Sequence, residues 1–209
     1  MSKLIVNGLV YHHLGPFSLT VEARETVALA GPSGAGKSLF LRALADLDPH
    51  GGEILLDGRS SQSWSGPEWR RRVALLPAES QWWHDKVGEH FNRSPVNRSS
   101  ASARLAVLGF EAQVMNWSIA RLSSGEKQRL AILRLLQNQP TVLLLDEPTA
   151  NLDPLNTQRV EKLFLDYQQQ HAAAMVWVTH DLAQGLRLGG RHFQIENGQL
   201  ELVGKGQVH

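Results

Sequence analysis

One eight-residue segment constrains this 209-residue chain more than any other feature. It runs from Gly31 to Ser38 with the sequence GPSGAGKS, which matches the pattern G-x-x-x-x-G-K-[ST]. The apolar run Thr26–Ala30 precedes it and predicts a strand, while apolar residues at helical spacing follow from Lys37 to Ala45. A glycine-rich loop between a strand and a helix N-terminus favours phosphate binding, because its backbone amides point into one hollow.

The residues of this loop have separate expected roles. Its glycines permit close approach of the backbone to a phosphate, and Lys37 is expected to reach the β and γ phosphates of ATP. The hydroxyl of Ser38 is a predicted ligand of Mg²⁺. The predicted nucleotide-binding residues of the segment are Gly31, Ser33, Gly34, Ala35, Gly36, Lys37, Ser38 and Leu39. ATP and Mg²⁺ are therefore the expected cofactors.

Two adjacent acidic residues follow a second apolar run. Val142–Leu145 is typical of a strand buried on both faces, and Asp146 and Glu147 come directly after it. Ligands of open α/β sheets bind at the carboxyl ends of the strands. We therefore expect Asp146 to hold Mg²⁺, and Glu147 to polarise an attacking water molecule as a general base.

A third motif, LSSGEKQR, begins at Leu122. Ser123 suits the N-cap of a helix, and Glu126, three residues later, completes a capping box. From these residues alone the motif is equally well explained as a stable helix start.

Apolar periodicity along the chain predicts alternating strands and helices, and hence a mostly parallel sheet between helices. The predicted strands are Leu4–Val6, Phe17–Val21, Thr26–Ala30, Glu53–Leu56, Val73–Leu76, Val142–Leu145, Ala174–Val178, Phe193–Ile195 and Leu200–Val203. The predicted helices are Lys37–Ala45, Arg104–Leu108, Ser124–Asn138 and Leu155–Gln170. We predict an α/β nucleotide-hydrolase core in residues 1–78 and 122–209, with a short helical subdomain at about 79–121.

Composition limits the remaining possibilities. The net charge of +1 gives no indication of a nucleic-acid partner, and the absence of cysteine excludes disulfides and thiolate chemistry. No apolar run approaches the roughly 18 residues of a membrane span. We therefore expect a cytoplasmic chain that is not itself inserted in the membrane.

The motifs, taken in their order, resemble the ATP-binding subunit of ABC transporters over essentially the whole chain. LSSGE at Leu122–Glu126 is similar to the family signature LSGGQ, and ANLD at Ala150–Asp153 is similar to its D-loop. His180, in the sequence VTHD, resembles the switch histidine of the family. Tyr11, about 20 residues before the phosphate loop, is similar to the aromatic residue that stacks on adenine.

This resemblance implies a mechanism and partners. Two copies of the chain would face each other head to tail, with Ser123, Gly125 and Glu126 of one copy contacting ATP held by the other. His180 would hold the γ-phosphate and the attacking water, and Asp153 would connect the two sites. ATP-driven closure of this homodimer would energise a separate membrane permease, which holds the chain at the inner face of the cell membrane. The resemblance also implies an antiparallel β subdomain.

The chain departs from the family pattern after Val73–Leu76. The family carries a glutamine there that contacts Mg²⁺ or the attacking water, whereas this chain has Ala78. Glu79 or Gln81 could substitute, with Glu79 as an anionic metal ligand. The nearby pair Trp82 and Trp83 are candidate anchors for the membrane partner, or else they pack the short subdomain.

Other functions remain open from the sequence. One is a soluble ABC-type ATPase that acts on DNA or ribosomes, although neither a coiled coil nor a second cassette is present. Another is a regulatory cassette with weakened catalysis, which the intact Lys37, Asp146, Glu147 and His180 argue against. The cargo is not readable. The runs Leu122–Glu147 and Val176–Asp181 are most similar to small cassettes paired with a stand-alone permease, some of them linked to metal-ion export. Metal-ion or small-molecule export is therefore one expectation, and import stays open.

Overall fold

A computed structural model describes residues 3–91, 104–188 and 190–205 of the chain. Its strands are β1 Leu4–Tyr11, β2 Leu14–Val21, β3 Thr26–Ala30, β4 Gly51–Leu56, β5 Arg59–Ser60, β6 Val73–Leu76, β7 Val142–Asp146, β8 Ala174–Val178, β9 Arg191–Glu196 and β10 Gln199–Lys205. Its helices include α1 Lys37–Leu44, α2 Gly66–Arg72, α3 Ser124–Leu136, α4 Pro154–His171 and α5 Leu182–Leu188.

The strands form two sheets. The smaller sheet has the order β2-β1-β4-β5 and is antiparallel. The larger sheet has the order β10-β9-β3-β8-β7-β6, and all of its pairs are parallel except that of β10 with β9. The predicted α/β fold, with a mostly parallel sheet and an antiparallel β subdomain, is confirmed.

The central strands β3, β7 and β8 of the larger sheet are buried on both faces, as the continuous apolar runs predict. Successive residues of β7 alternate between two hydrophobic clusters: Val142 and Leu144 join the first, and Leu143 and Leu145 the second. The buried residues of α1 belong to the first cluster, together with the smaller sheet, whereas those of α3 and α4 belong to the second. Helices α1 and α3 therefore lie on opposite faces of the sheet.

The segment between β6 and α3 contains short helical elements in its described residues. These are the 3₁₀ turns Val87–His90, Ala112–Asn116 and Ile119–Arg121, and a helical stretch at 104–107. Val87, Leu108 and Val114 are fully buried in the second cluster, so this segment shares its core with the main body. Residues 92–103 lie outside the described part, and the domain boundaries at 79 and 121 stay a prediction.

Candidate active site

The loop between β3 and α1 requires glycine at three positions. Gly31, Gly34 and Gly36 have φ values of +146°, +81° and +93°, in the region that residues with a Cβ rarely adopt. A Cβ at Gly31 would also lie 2.4 Å from the carbonyl oxygen of Ile195, and one at Gly36 would lie 2.4 Å from Cδ1 of Leu14. The loop backbone is thus fixed by its conformation and by β9 and the start of β2.

Lys37 is held at the base of this loop. Its ammonium donates to the carbonyl oxygens of Gly31 at 2.8 Å and Pro32 at 2.9 Å, and the residue is only 6% exposed. Burial lowers the pKa of Lys37, whereas the carboxylates of Glu147 and Asp146 raise it. The loop backbone therefore holds the ammonium of Lys37 at a place where the charges of both acidic residues act on it.

Asp146 and Ser38 meet at the end of β7. The side chain of Ser38 lies close enough to the Asp146 carboxylate to affect its pKa. Burial raises the pKa of Asp146, and the interaction with Ser38 opposes the shift. Hydroxyl and carboxylate oxygens are hard ligands that fit Mg²⁺. In the described part of the chain, no group of three or more His, Cys, Asp or Glu residues is placed to hold a metal. Ser38 and Asp146 could thus offer two oxygen ligands to such a cation.

Glu147 and His180 form a close pair beside Asp146. The carboxylate Oε1 of Glu147 lies 2.6 Å from Nε2 of His180. Glu147 has a φ of +47°, uncommon for a residue with a side chain, and its amide donates to the Val178 carbonyl at 3.2 Å. This turn directs the Glu147 side chain towards the residues that follow β8.

The signature segment forms the N-terminus of α3. Ser123 Oγ accepts from the Glu126 amide at 3.2 Å, and Glu126 Oε2 accepts from the Ser123 amide at 2.8 Å, so the predicted capping box is confirmed. The hydrogen bonds from Ser123 lower the pKa of the Glu126 carboxyl. A Cβ at Gly125 would lie 3.1 Å from the Asn151 carbonyl oxygen, so the signature packs tightly on the loop before α4. Asp153 caps α4 by accepting from the Asn156 amide at 2.9 Å.

The structure corrects the role expected for Tyr11. Its ring is 1% exposed and packs against Phe17 and Phe40, with ring centroids 5.4 and 6.2 Å away. Its hydroxyl donates to the Gly36 carbonyl at 3.2 Å. A ring enclosed in this way has no free face for adenine. Tyr11 instead joins β1 to the start of α1, where Leu14, a residue not predicted for the site, packs over Gly36.

A strand, a glycine-rich loop and a helix, with paired acids at the end of β7, which is separated from β3 by β8 in the same sheet, define a nucleotide hydrolase of the P-loop class. Among known families, the model described as ABC transporter matches residues 14–150, and this chain belongs to that family. It binds ATP, and ATP hydrolysis is coupled to transport. In the described residues, every helix is too short or too polar to cross a membrane.

Curated relatives cover most of the chain. An aliphatic sulfonates import ATP-binding protein of Nocardia farcinica is 37% identical over 182 residues, spanning 87% of this chain and 71% of that protein. A phosphate import ATP-binding protein of Pyrobaculum aerophilum is 36% identical over 207 residues, spanning 90% and 82%. A thiamine import ATP-binding protein of Salmonella choleraesuis is 34% identical over 216 residues, spanning 98% and 91%.

A solved structure supports the fold. The structure of a bacterial Atm1-family ABC exporter with ATP bound matches 98% of this chain with a TM-score of 0.82 and 26% identity. The match spans 38% of the exporter chain.

Proposed function

We propose that two copies of this chain close around ATP and so drive a separate membrane permease. One observation carries the proposal: helix α1, which follows the phosphate loop, and helix α3, which Ser123 caps, lie on opposite faces of one sheet. Ser123 and Ser124 are exposed there. Both helix N-termini attract anions. A head-to-tail pair would bring the N-terminus of α3 in one copy to the nucleotide on α1 of the other.

The residues of one site would divide the chemistry of hydrolysis. The loop amides and Lys37 bind the phosphates, and Glu147 accepts the proton of the attacking water. His180, in contact with Glu147, orients that carboxylate and the γ-phosphate. From the second copy, Ser123 and the amide of Gly125 contact the γ-phosphate, while Glu126 maintains the cap that presents them. Asp153 links the two sites through the loop on which Gly125 packs.

Ser38 and Asp146 would hold Mg²⁺, which when bound neutralises charge on the phosphates. We propose Glu79 as a further ligand in place of the family glutamine. It is exposed, and it lies three residues beyond the end of β6. Leu76 of β6 is in register with Leu145 of β7, so both strands end at the edge that carries Asp146.

Replacing Glu79 with alanine should raise the Mg²⁺ concentration needed for half-maximal ATPase activity by about tenfold, because an anionic ligand is lost. The measurement is phosphate release across a Mg²⁺ titration at fixed ATP. Glu201→Ala, which removes an exposed carboxylate from β10, is the matched control. An unchanged Mg²⁺ requirement would show that Glu79 is not a ligand.

The direction and cargo of transport are proposed from the relatives. The three curated proteins above are import proteins, so we propose uptake rather than the metal-ion or small-molecule export expected from the sequence. Their names specify sulfonates, phosphate and thiamine, and their identities to this chain lie between 34% and 37%. Because this chain is about equally identical to three proteins named for unlike cargoes, we propose that the permease selects the cargo. We place the chain at the inner face of the cell membrane, held by that permease.

We propose that the permease docks in a groove of about 730 Å³ beside the end of β6. The groove combines apolar side chains from β6 and α3 with two arginines and one tryptophan; its lining includes Arg71, Leu75, Leu76, Trp83, Ala131, Arg134 and Leu135. The residues that line it include no carboxylate. It therefore fits a permease segment that presents apolar residues together with acidic ones.

The two adjacent tryptophans have different environments at this groove. Trp82 packs against the second core cluster, whereas Trp83 is 66% exposed. The guanidinium of Arg134 lies over both rings, 4.4 Å from the centroid of Trp82 and 4.8 Å from that of Trp83. Buried His90 accepts hydrogen bonds at Nε2 from the amides of Trp83 and His84, at 3.1 and 3.0 Å. Trp83 is therefore an exposed aromatic side chain on a fixed backbone, which suits an interface anchor.

Replacing Trp83 with alanine should weaken binding of the permease by about 2 kcal/mol, or about thirtyfold. The test is to co-express the chain with the membrane protein encoded beside it and to measure ATP-driven uptake into vesicles. Uptake and permease-stimulated ATPase activity should fall, while ATPase activity of the isolated chain stays the same. Leu202→Ala, at another exposed apolar residue, is the control. Full uptake with the Trp83 variant would contradict docking at this groove.

A further inference from the structure

The side-chain amide of Gln184 is buried and fully hydrogen-bonded. Its Nε2 donates to Thr149 Oγ1 at 2.8 Å and to Glu161 Oε1 at 2.9 Å. Its Oε1 accepts from Thr179 Oγ1 at 2.7 Å and from Trp177 Nε1 at 3.3 Å. Two donors and two acceptor positions are all that a glutamine amide offers. The residue is 4% exposed, and its four partners come from three separate parts of the chain.

This amide joins the two segments that carry the Glu147–His180 pair. Thr149 lies two residues after Glu147, and Thr179 lies directly before His180. The hydroxyl of Thr179 also accepts from the backbone amide of Asp181 at 3.0 Å, so the chain on both sides of His180 is held. This side chain therefore adds a second tie, beside the Glu147 amide to Val178 carbonyl hydrogen bond, between the loop after β7 and the turn after β8.

The other side of the network is anchored in helices. Glu161 of α4 also accepts from Arg187 of α5 at 3.0 Å, which ties both helices to the amide. A cavity of about 230 Å³ lies next to the network, and its lining includes Glu147, His180 and Gln184. Any shift of the amide would therefore be transmitted to the wall of the space beside the Glu147–His180 pair.

We propose that Gln184 is a positioning residue for hydrolysis, which holds Glu147 and His180 in contact without itself touching the nucleotide. The inference rests on the proposed roles of those two residues. The chemistry of the site explains why an amide is needed. A carboxylate at position 184 would lose both donors and face Glu161, and an apolar side chain would leave Thr149 and Glu161 without their partner.

Gln184→Met keeps the length of the side chain and removes all four hydrogen bonds. We expect kcat for ATP hydrolysis to fall about tenfold to a hundredfold, because the reacting groups are displaced. KM for ATP should change less than about twofold, since Lys37 and the phosphate loop are untouched. The matched control is Gln168→Met, which removes another buried glutamine, 3% exposed, whose amide donates to Thr26 Oγ1 at 2.9 Å. It should lower the melting temperature and leave kcat unchanged.

The effect of losing the amide is separable from general destabilisation. Thr149→Val removes one partner of Gln184 and should lower kcat less than Gln184→Met does. The double variant should be no slower than Gln184→Met alone, because both changes break the same link. If Gln184→Met does not fold, a lower kcat at unchanged KM in Thr149→Val still supports the proposal, and an unchanged kcat overturns it.

Glu147→Gln in the same assay distinguishes a failure of the positioning role of Gln184 from a failure of the catalytic roles proposed for Glu147 and His180. If Glu147→Gln loses turnover and Gln184→Met keeps it, the positioning role is wrong and the catalytic roles stand. If Glu147→Gln keeps wild-type turnover, the catalytic roles themselves are wrong. Equal loss of kcat in Gln184→Met and Gln168→Met would also overturn the inference, since the effect would then be one of stability alone.

Discussion

Replacing Glu147 with glutamine should reduce steady-state ATP hydrolysis by about a thousandfold, because the amide cannot accept the proton of the attacking water. The side chain keeps its size, and Lys37 and Ser38 are unchanged, so ATP should bind with its wild-type affinity. Closed pairs of the chain should then accumulate with ATP, since the step that opens them is blocked. The variant should thus bind ATP without hydrolysing it.

Three measurements test this expectation. Phosphate release gives the turnover, titration calorimetry gives the affinity for ATP, and size-exclusion chromatography with ATP gives the fraction of paired chains. Glu201→Gln, at an exposed position of β10, is the control and should behave as the wild type does. Retention of turnover in the Glu147 variant would assign the general base to another residue, and loss of ATP binding would mean that the site had been distorted.

The parts of the site that the sequence predicted are those built by local segments. The phosphate loop, the acids after β7 and the capping box at Ser123 each depend on a few neighbouring residues, so their geometry follows from spacing and backbone rules. The alternation of apolar runs likewise predicted a sheet buried on both faces. The extent of helix α2 could not be predicted, because it has seven residues and one buried apolar side chain, Trp69, which gives no helical period.

The parts that the sequence could not predict depend on contacts between distant segments. Tyr11 was expected at the adenine because of its distance from the loop, but its ring is covered by Phe17 and Phe40, and nothing in the local sequence shows this. Gln184 was missed for the same reason, since Thr149 is 35 residues away along the chain. The only local indication was its position four residues after His180, which is too common a spacing to identify a function.

Two inactive variants should restore hydrolysis when they are mixed, and this expectation follows from the opposite-face arrangement of α1 and α3. Lys37→Ala removes the ammonium that we propose binds the phosphates, so this variant should neither bind ATP tightly nor hydrolyse it. Ser123→Arg places a bulky charge at the N-terminus of α3 and costs about 1 kcal/mol of helix capping. It should block the signature without disturbing the phosphate loop of the same chain.

In a mixed pair, one of the two sites combines the intact loop of the Ser123 variant with the intact signature of the Lys37 variant. An equal mixture should therefore recover roughly a quarter of wild-type activity, since about half of the pairs are mixed and each has one working site. The control mixes Lys37→Ala with Glu147→Gln, whose defects lie on the loop side of both sites, and it should stay inactive. If each variant keeps activity alone, or if the first mixture recovers none, the site does not combine residues from two copies. Recovery in the first mixture but not in the second would place Ser123 and Lys37 of different chains at one nucleotide.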